Sequence, residues 1–201
     1  MTEPIYRLRS SGQYVKFVLA LVFIALFMLS LYLDPNTHGF FPPIIIGAGL
    51  VLIAYVFFIM PSLLLDRDGL HIHNWFVDRW VSWRDFDKID SRFGLHIIST
   101  DASDPVSSYP GSGGLTRGRE RMRSSPLAKN EPKPDYIPIR DSGQHNKQAA
   151  LRDATSLIVR MAAEFGTTAP HRPRTRMVNP MRIALVIIGI ALAVLGVQAI
   201  I

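Results

Sequence analysis

The chain has no cysteine in its 201 residues, which excludes disulfides, thiolate catalysis, iron–sulfur ligation and Cys-type zinc sites together. Acids are also scarce, 16 against 22 Lys and Arg, for a net charge of +6. Charge of either sign is missing altogether from three apolar runs at residues 17–33, 40–65 and 183–201. At about 1.5 Å per helical residue, each run crosses or nearly crosses a hydrocarbon core of roughly 30 Å. Catalytic signatures are absent too. Gly111-Ser-Gly-Gly114 precedes no lysine at phosphate-loop spacing, and no nucleophile-elbow pattern occurs. Within the apolar runs Ser30, Tyr55 and Gln198 are the notable polar groups, so no intramembrane acid, base or metal ligand points to lipid-modifying chemistry. The chain therefore reads as an integral membrane protein that is not an enzyme and needs no cofactor.

Flanking charge sets the expected topology. Arg7, Arg9 and Lys16 against Glu3 precede the first run and Asp34 follows it, which places the N-terminus on the cytoplasmic side. The exit at residues 30–34 carries bulky residues where a signal-peptide cleavage site needs small ones. Asp34-Pro35-Asn36 stops the first helix, and Pro42-Pro43 suit the first turn of the second, so the two spans form a hairpin. Tyr32, Phe40 and Phe41 then fall at the outer interface. Pro61 ends or kinks the second span. Arg172, Arg174, Arg176 and Arg182 repeat the inside signal before the third. The expected order is an N-terminus over residues 1–16, a two-helix transmembrane hairpin over 17–61, a small cytoplasmic domain over 62–168, a basic linker over 169–182 and a third transmembrane helix over 183–201, with the C-terminus outside.

From Ser62 the pattern changes to alternation. Asp66-Arg67-Asp68-Gly69 separates two strands, with Leu70 and Ile72 facing one way and His71 and His73 the other. A third strand is expected at 79–83, followed by 84–90, and a fourth at 94–100, together a meander. Residues 101–134 are rich in Ser, Gly, Pro and Arg and read as a mobile insertion. Residues 136–140 suit an edge strand because of Pro138. Leu151, Ala154, Ile158, Met161 and Phe165 recur at three and four residues opposite Arg152, Asp153, Ser156, Arg160 and Glu164, one amphipathic helix. Asp141 or Ser142 is expected to cap its start and Gly166 its end.

Two spans, then "LLLDRDGLHIHN", "VSWRDFDKID", a basic loop and one amphipathic helix together resemble the small bacterial membrane proteins that carry a pleckstrin-homology-like (PH-like) domain, including the STM3941-like family. A "D-x-x-G-apolar" hairpin followed by an "apolar-x-W-x-acid-apolar" strand falls here at 66–70 and 81–86. The resemblance implies an α+β membrane protein with a curved antiparallel sheet or barrel closed by the helix. It also implies the bacterial inner membrane, with a cytoplasmic N-terminus and a periplasmic C-terminus. It carries over no functional residue.

His71, His73 and His96 could converge on a metal, but alternation on a solvated strand face gives the same pattern, and no metal is expected. Asp66, Asp68, Asp85, Asp87 and Asp90 lack calcium-loop spacing, and turn chemistry accounts for the first two. Trp75, Phe76, Trp80, Trp83 and Phe86 suit core and interface packing. Arg117, Arg119, Arg121 and Arg123 are the candidate anionic-lipid contacts, since a basic residue near a charged leaflet gains about 1 kcal/mol. Gly189, Ala193 and Gly196 line one face of the last helix and are candidates for close helix packing, with Gly47 and Gly49 or with another membrane protein. Membrane lipids and a membrane protein are the expected partners, and nucleic acid is not. The expected function is non-enzymatic binding of a protein partner or anionic head groups. The alternative is an accessory or assembly subunit of a larger membrane complex.

Overall fold

In the computed structural model of the chain, the residues described are 6–34, 41–91, 94–100, 102–110, 145–148 and 151–200. The fold is α+β and divides into two compact units. One comprises residues 1–10, 62–73 and 79–176. The other comprises 11–61, 74–78 and 177–201.

The helical unit holds three helices long and apolar enough to cross a membrane: α1 (Ser11–Leu33), α2 (Phe41–Phe58) and α4 (Pro180–Gln198). α1 packs on α2, and α2 packs on α4. Pro42 and Pro43 occupy the first turn of α2, where a missing N–H leaves no hydrogen bond unmade. α2 ends at Phe58, before Pro61. Asn179 caps α4 by accepting the Arg182 backbone N–H at 3.3 Å.

The β unit contains most of two sheets. The first has the order β8-β1-β2-β3-β4-β9 and the second β5-β6-β7. The first sheet comprises β1 (Tyr6–Arg9), β2 (Ser62–Leu65), β3 (Gly69–His73), β4 (Val77–Ser82), β8 (His145–Gln148) and β9 (Thr175–Val178). The second comprises β5 (Phe86–Asp90), β6 (Gly94–Ser99) and β7 (Ala102–Pro110). β4 and β9 each run from one unit into the other. β1 is antiparallel to β2 (Leu8 opposite Leu63) and parallel to β8, so the first sheet is not wholly antiparallel. The β2–β3 turn forms as its sequence dictates. Asp66 accepts the Asp68 and Gly69 N–H groups at 2.8 and 2.6 Å, and a Cβ on Gly69 would strike the Val81 carbonyl. Leu70 and Ile72 are buried and the two histidines half-exposed.

α3 (Leu151–Phe165) buries Ala154, Leu157, Ile158 and Met161, at i, i+3, i+4 and i+7. They join Tyr6, Leu8, Leu63, Leu65, Leu70, Ile72, Val81, Trp83, Leu95 and Ile97 in one core. Trp83, in a single 3₁₀ turn capped by Ser82, satisfies its buried indole N–H on the Asp66 carbonyl at 2.8 Å.

Three expectations need correction. Residues 1–16 are not a simple tail: β1 is a strand of the first sheet and α1 already starts at Ser11. Of the insertion expected over 101–134, residues 111–134 lie outside the described residues, and 102–110 are instead the strand β7. Its inward positions include Asp104 and Ser108, which hide the apolar alternation. Its prolines are accommodated because β7 is the edge of its sheet. Residues 169–182 are not a bare linker, since Ala169 is in the core, 175–178 form β9 and Arg182 lies in the first turn of α4. The caps expected at Asp141 or Ser142 lie outside the described residues; α3 is described from Leu151, and Phe165 packs on the core while only partly buried. Gly166 does follow the helix end, its N–H bonding Ala162 O at 2.9 Å.

Candidate functional site

A polar cluster of the helical unit gathers around the start of α4. Arg182 lies in the first turn, where a cation opposes the positive end of the helix dipole. Asp78 offsets this by placing a carboxylate beside the helix start. Arg182 donates from one Nη to Asp78 Oδ1 at 2.8 Å and to the Asn74 carbonyl, while Asn179 Nδ2 donates to Asp78 Oδ2 at 3.0 Å. The Asn179 N–H donates to Phe76 O at 2.8 Å. On the same segment Trp75 donates its indole N–H to Phe57 O at 3.1 Å, and the Phe57 ring meets the rings of Trp75 and Phe76. Residues 74–78 thus bind the end of α2 and the start of α4, which fixes both at one level. Burial of most of the Arg182 guanidinium is tolerable because both charges are paired and hydrogen-bonded. The cluster orients helices and contains no nucleophile.

Below it runs a seam of small residues. A Cβ added to Gly49 would strike the Gly189 carbonyl and come within 2.9 Å of Ala193 N. At Gly189 it would meet Ile53 Cγ1 at 2.8 Å and Gly49 O at 2.9 Å, and at Gly196 it would meet Ile46 Cγ1 at 2.5 Å and Pro42 O at 2.9 Å. The pairing of Gly196 with the start of α2 and of Gly189 with its middle makes the two helices antiparallel. Gly47 faces the other way, with Met28 Sδ of α1 2.9 Å from its would-be Cβ. One glycine therefore admits α1 and the other admits α4. Ile188 and Leu195, by contrast, are about half exposed.

In the β unit an ion triad sits between sheets. Fully buried Asp104 on β7 takes Arg79 of β4 at 2.5 Å on Oδ1, and Arg174 on the same oxygen. Nearby, Ser82 Oγ donates to Pro170 O at 2.9 Å and His171 pairs with Asp85 at 3.3 Å. The stretch 169–174 is thus fastened within the β unit by its contacts at Pro170, His171 and Arg174 and by buried Ala169, a role that its basic composition did not announce. His71 Nε2 donates to Asp66 Oδ2, 3.0 Å away. No three His, Asp or Glu side chains among the described residues are grouped as a metal-binding set. Arg117, Arg119, Arg121, Arg123 and the strand expected over 136–140 lie outside the described residues.

Sequence reasoning had selected the glycine seam but missed Asp78, Asp104 and Asn179. Isolated acids in strand and loop sequence carry no spacing signal. Their importance arises from arginines 25 to 104 residues away. No protein-family model, curated protein or solved structure matches the chain.

Proposed function

We propose that the chain is a non-enzymatic membrane protein whose PH-like domain works at the cytoplasmic face of a bacterial inner membrane, where it binds a protein partner or anionic lipid head groups. Support for the PH-like reading comes from the order of elements. Strands β1–β4 share one sheet, β5–β7 form a second, and an amphipathic helix follows and seals the core. The helical hairpin is then an insertion between β1 and β2.

The observation that carries the function is how little chain joins strands to spans. Ser10 alone separates β1 from α1, residues 59–61 separate α2 from β2, and Asn179 alone separates β9 from α4. At a reach of roughly 3.5 Å per residue, the folded domain cannot leave the bilayer surface. Its ligand must therefore come to the membrane or belong to it. The test uses the full chain, extracted in mild detergent and recovered by affinity with its lipids and proteins identified by mass spectrometry. A stoichiometric protein partner, or anionic lipid enriched over the bulk, is expected. Recovery of neither rejects the reading. The accessory-subunit alternative keeps one supporting observation, the outer face of α1, where Phe23 is 70% and Leu33 69% exposed.

A further inference from the structure

Within the helical unit, residues 74–78 and 177–182 reverse the arrangement of a water-facing surface: polar groups are paired inside and large apolar side chains lie outside. The Arg182 charge is closed by Asp78 Oδ1 at 2.8 Å, and Asn179 holds the other oxygen of that carboxylate at 3.0 Å. Backbone groups at the two helix ends are matched in the same way. In a continuing helix the Phe57 carbonyl would take its hydrogen bond from residue 61, which is proline and has no N–H. The Trp75 indole supplies the missing donor at 3.1 Å. Before α4 the Asn179 N–H goes to Phe76 O at 2.8 Å and the Arg182 N–H to the Asn179 side chain. Charges and backbone groups closed on one another tolerate a medium poor in water. Around them Trp75 is 41%, Met177 62%, Val178 59% and Met181 67% exposed. Met177 and Val178 are consecutive in β9, so their side chains leave opposite faces of the strand. A protein docked on one face would leave the other bare, whereas a fluid leaflet covers both. Exposed apolar surface continues along α4 at Ile187 and Ile190.

We propose that residues 74–78 with Met177, Val178 and Met181 form an interfacial anchor whose partner is the lipid leaflet itself, immersed at the depth of the glycerol esters and first acyl carbons. This rests on the membrane-surface reading above and deepens it by assigning one contact to acyl chains rather than to head-group charge. Trp75 suits that layer because its ring is apolar while its N–H is already bonded within the protein. The ion pair fixes the upper limit of immersion: the Asp78 side chain keeps 25% of its surface open, which holds this end of α4 at the polar boundary and out of the bilayer centre. Since acyl chains do the recruiting, the depth of the anchor is independent of anionic lipid and of salt.

The full chain is reconstituted in vesicles of phosphatidylcholine, alone or with an equal part of phosphatidylglycerol. Because the chain has no cysteine, a single nitroxide can be placed at Met177→Cys, at Val178→Cys, or at Leu26→Cys on the exposed face of α1. Relaxation by oxygen, which concentrates in hydrocarbon, is compared with relaxation by a water-soluble nickel chelate. Oxygen should dominate at both Met177 and Val178, and more strongly at Leu26. In a second measurement, phosphatidylcholine brominated near the ester should quench the tryptophan emission of the native chain. Trp75→Phe should lose most of that quenching, because Trp80 and Trp83 are buried in protein. Neither result should change with phosphatidylglycerol or with salt. Dominance of the chelate at Met177 or Val178 while Leu26 reports lipid would overturn the anchor and leave the membrane reading standing. Dominance of the chelate at Leu26 as well would overturn both. Poor access of both reagents to either strand position would mean a protein cover and overturn the proposal. So would quenching that survives Trp75→Phe, or a depth that follows the phosphatidylglycerol content. Were Trp75→Phe to unfold for want of its bond to Phe57, the two strand positions, measured with Trp75 in place, still decide.

Discussion

The helical unit and the β unit each hold together internally, by opposite uses of side-chain bulk. In the β unit, large side chains exclude water: Trp83, Leu157, Ile158 and Met161 are essentially inaccessible, and apolar burial of this kind is worth about 1.5–3 kcal/mol per large residue. In the helical unit large side chains point outward, and the contact is made where they are missing, at Gly49, Gly189 and Gly196. Lipid supplies no hydrophobic drive between helices, so close backbone approach and van der Waals contact must serve instead. The lesson is that the same substitution type has opposite signs in the two units. Truncation harms the first, and enlargement harms the second.

The largest effect tests whether the β unit is self-sufficient. Tyr6 is 2% and Leu8 0% exposed, and both sit in the core although the hairpin separates them from the rest of the domain. A fragment of residues 62–176 alone should therefore fail to fold. Residues 1–10 joined to 62–176 by a two- to four-residue turn should fold, because antiparallel pairing of Leu8 with Leu63 leaves the two ends adjacent. Circular dichroism melting distinguishes the two. A cooperative transition in the shorter fragment would show that β1 is dispensable.

Within the core, Leu157→Ala should cost about 2–5 kcal/mol, since the site is fully enclosed. Phe165→Ala should cost less because that ring is only partly buried. Denaturant titration of the joined β unit compares them, and equal losses would mean that α3 does not seal the sheet through its central face. In the helical unit Gly189→Leu should destabilise by about 1–3 kcal/mol or more, as added atoms meet Ile53 and the Gly49 backbone. Ile188→Phe should be near neutral. Thermal aggregation of the full chain in mild detergent reads the difference. A uniform response around α4 would remove the seam.

Legibility in the sequence followed the same division. Uninterrupted apolar runs marked all three helices long enough to span, and alternation marked β2, β3 and β6, because in each case one physical requirement acts along contiguous residues. The small-residue face was visible for the same reason, as helical spacing alone aligns Gly189, Ala193 and Gly196. β1, β7 and β9 were hidden. β1 is only four residues long, β7 turns Asp104 and Ser108 inward, and β9 is exposed at every position, so none shows a clean period of two. The paired acids were invisible because their partners are distant in the chain. The arginine-rich stretch over 117–123 was conspicuous by composition, yet the arginines whose pairing is described are Arg174 with Asp104 and Arg182 with Asp78.

The smallest effect at neutral pH and the sharpest pH signature come from one residue of the β unit. Tyr109 is 2% exposed, and its hydroxyl has no hydrogen-bond partner among the described residues. Burial, with the Asp153 carboxylate adding to it, raises the phenol well above its ordinary pKa of 10.0. The unfolded chain thus begins to lose this proton near pH 10 while the folded chain retains it. Over that window the native state binds more protons, so stability falls as pH rises toward the raised value and is unaffected by this group below the ordinary one. Tyr109→Phe removes the titration and a buried unsatisfied hydroxyl together. At neutral pH it should change stability by less than about 1 kcal/mol, with gain as reasonable an outcome as loss, because no hydrogen bond is broken. In alkali the variant should lose less stability than the native chain. Urea unfolding of the joined β unit at neutral pH and above the ordinary phenol pKa measures both, and taking the difference between variant and native chain cancels the other titrating groups. Parallel stability curves would mean that the phenol reaches water in the folded state and that the core around β7 is looser than the rest of the unit.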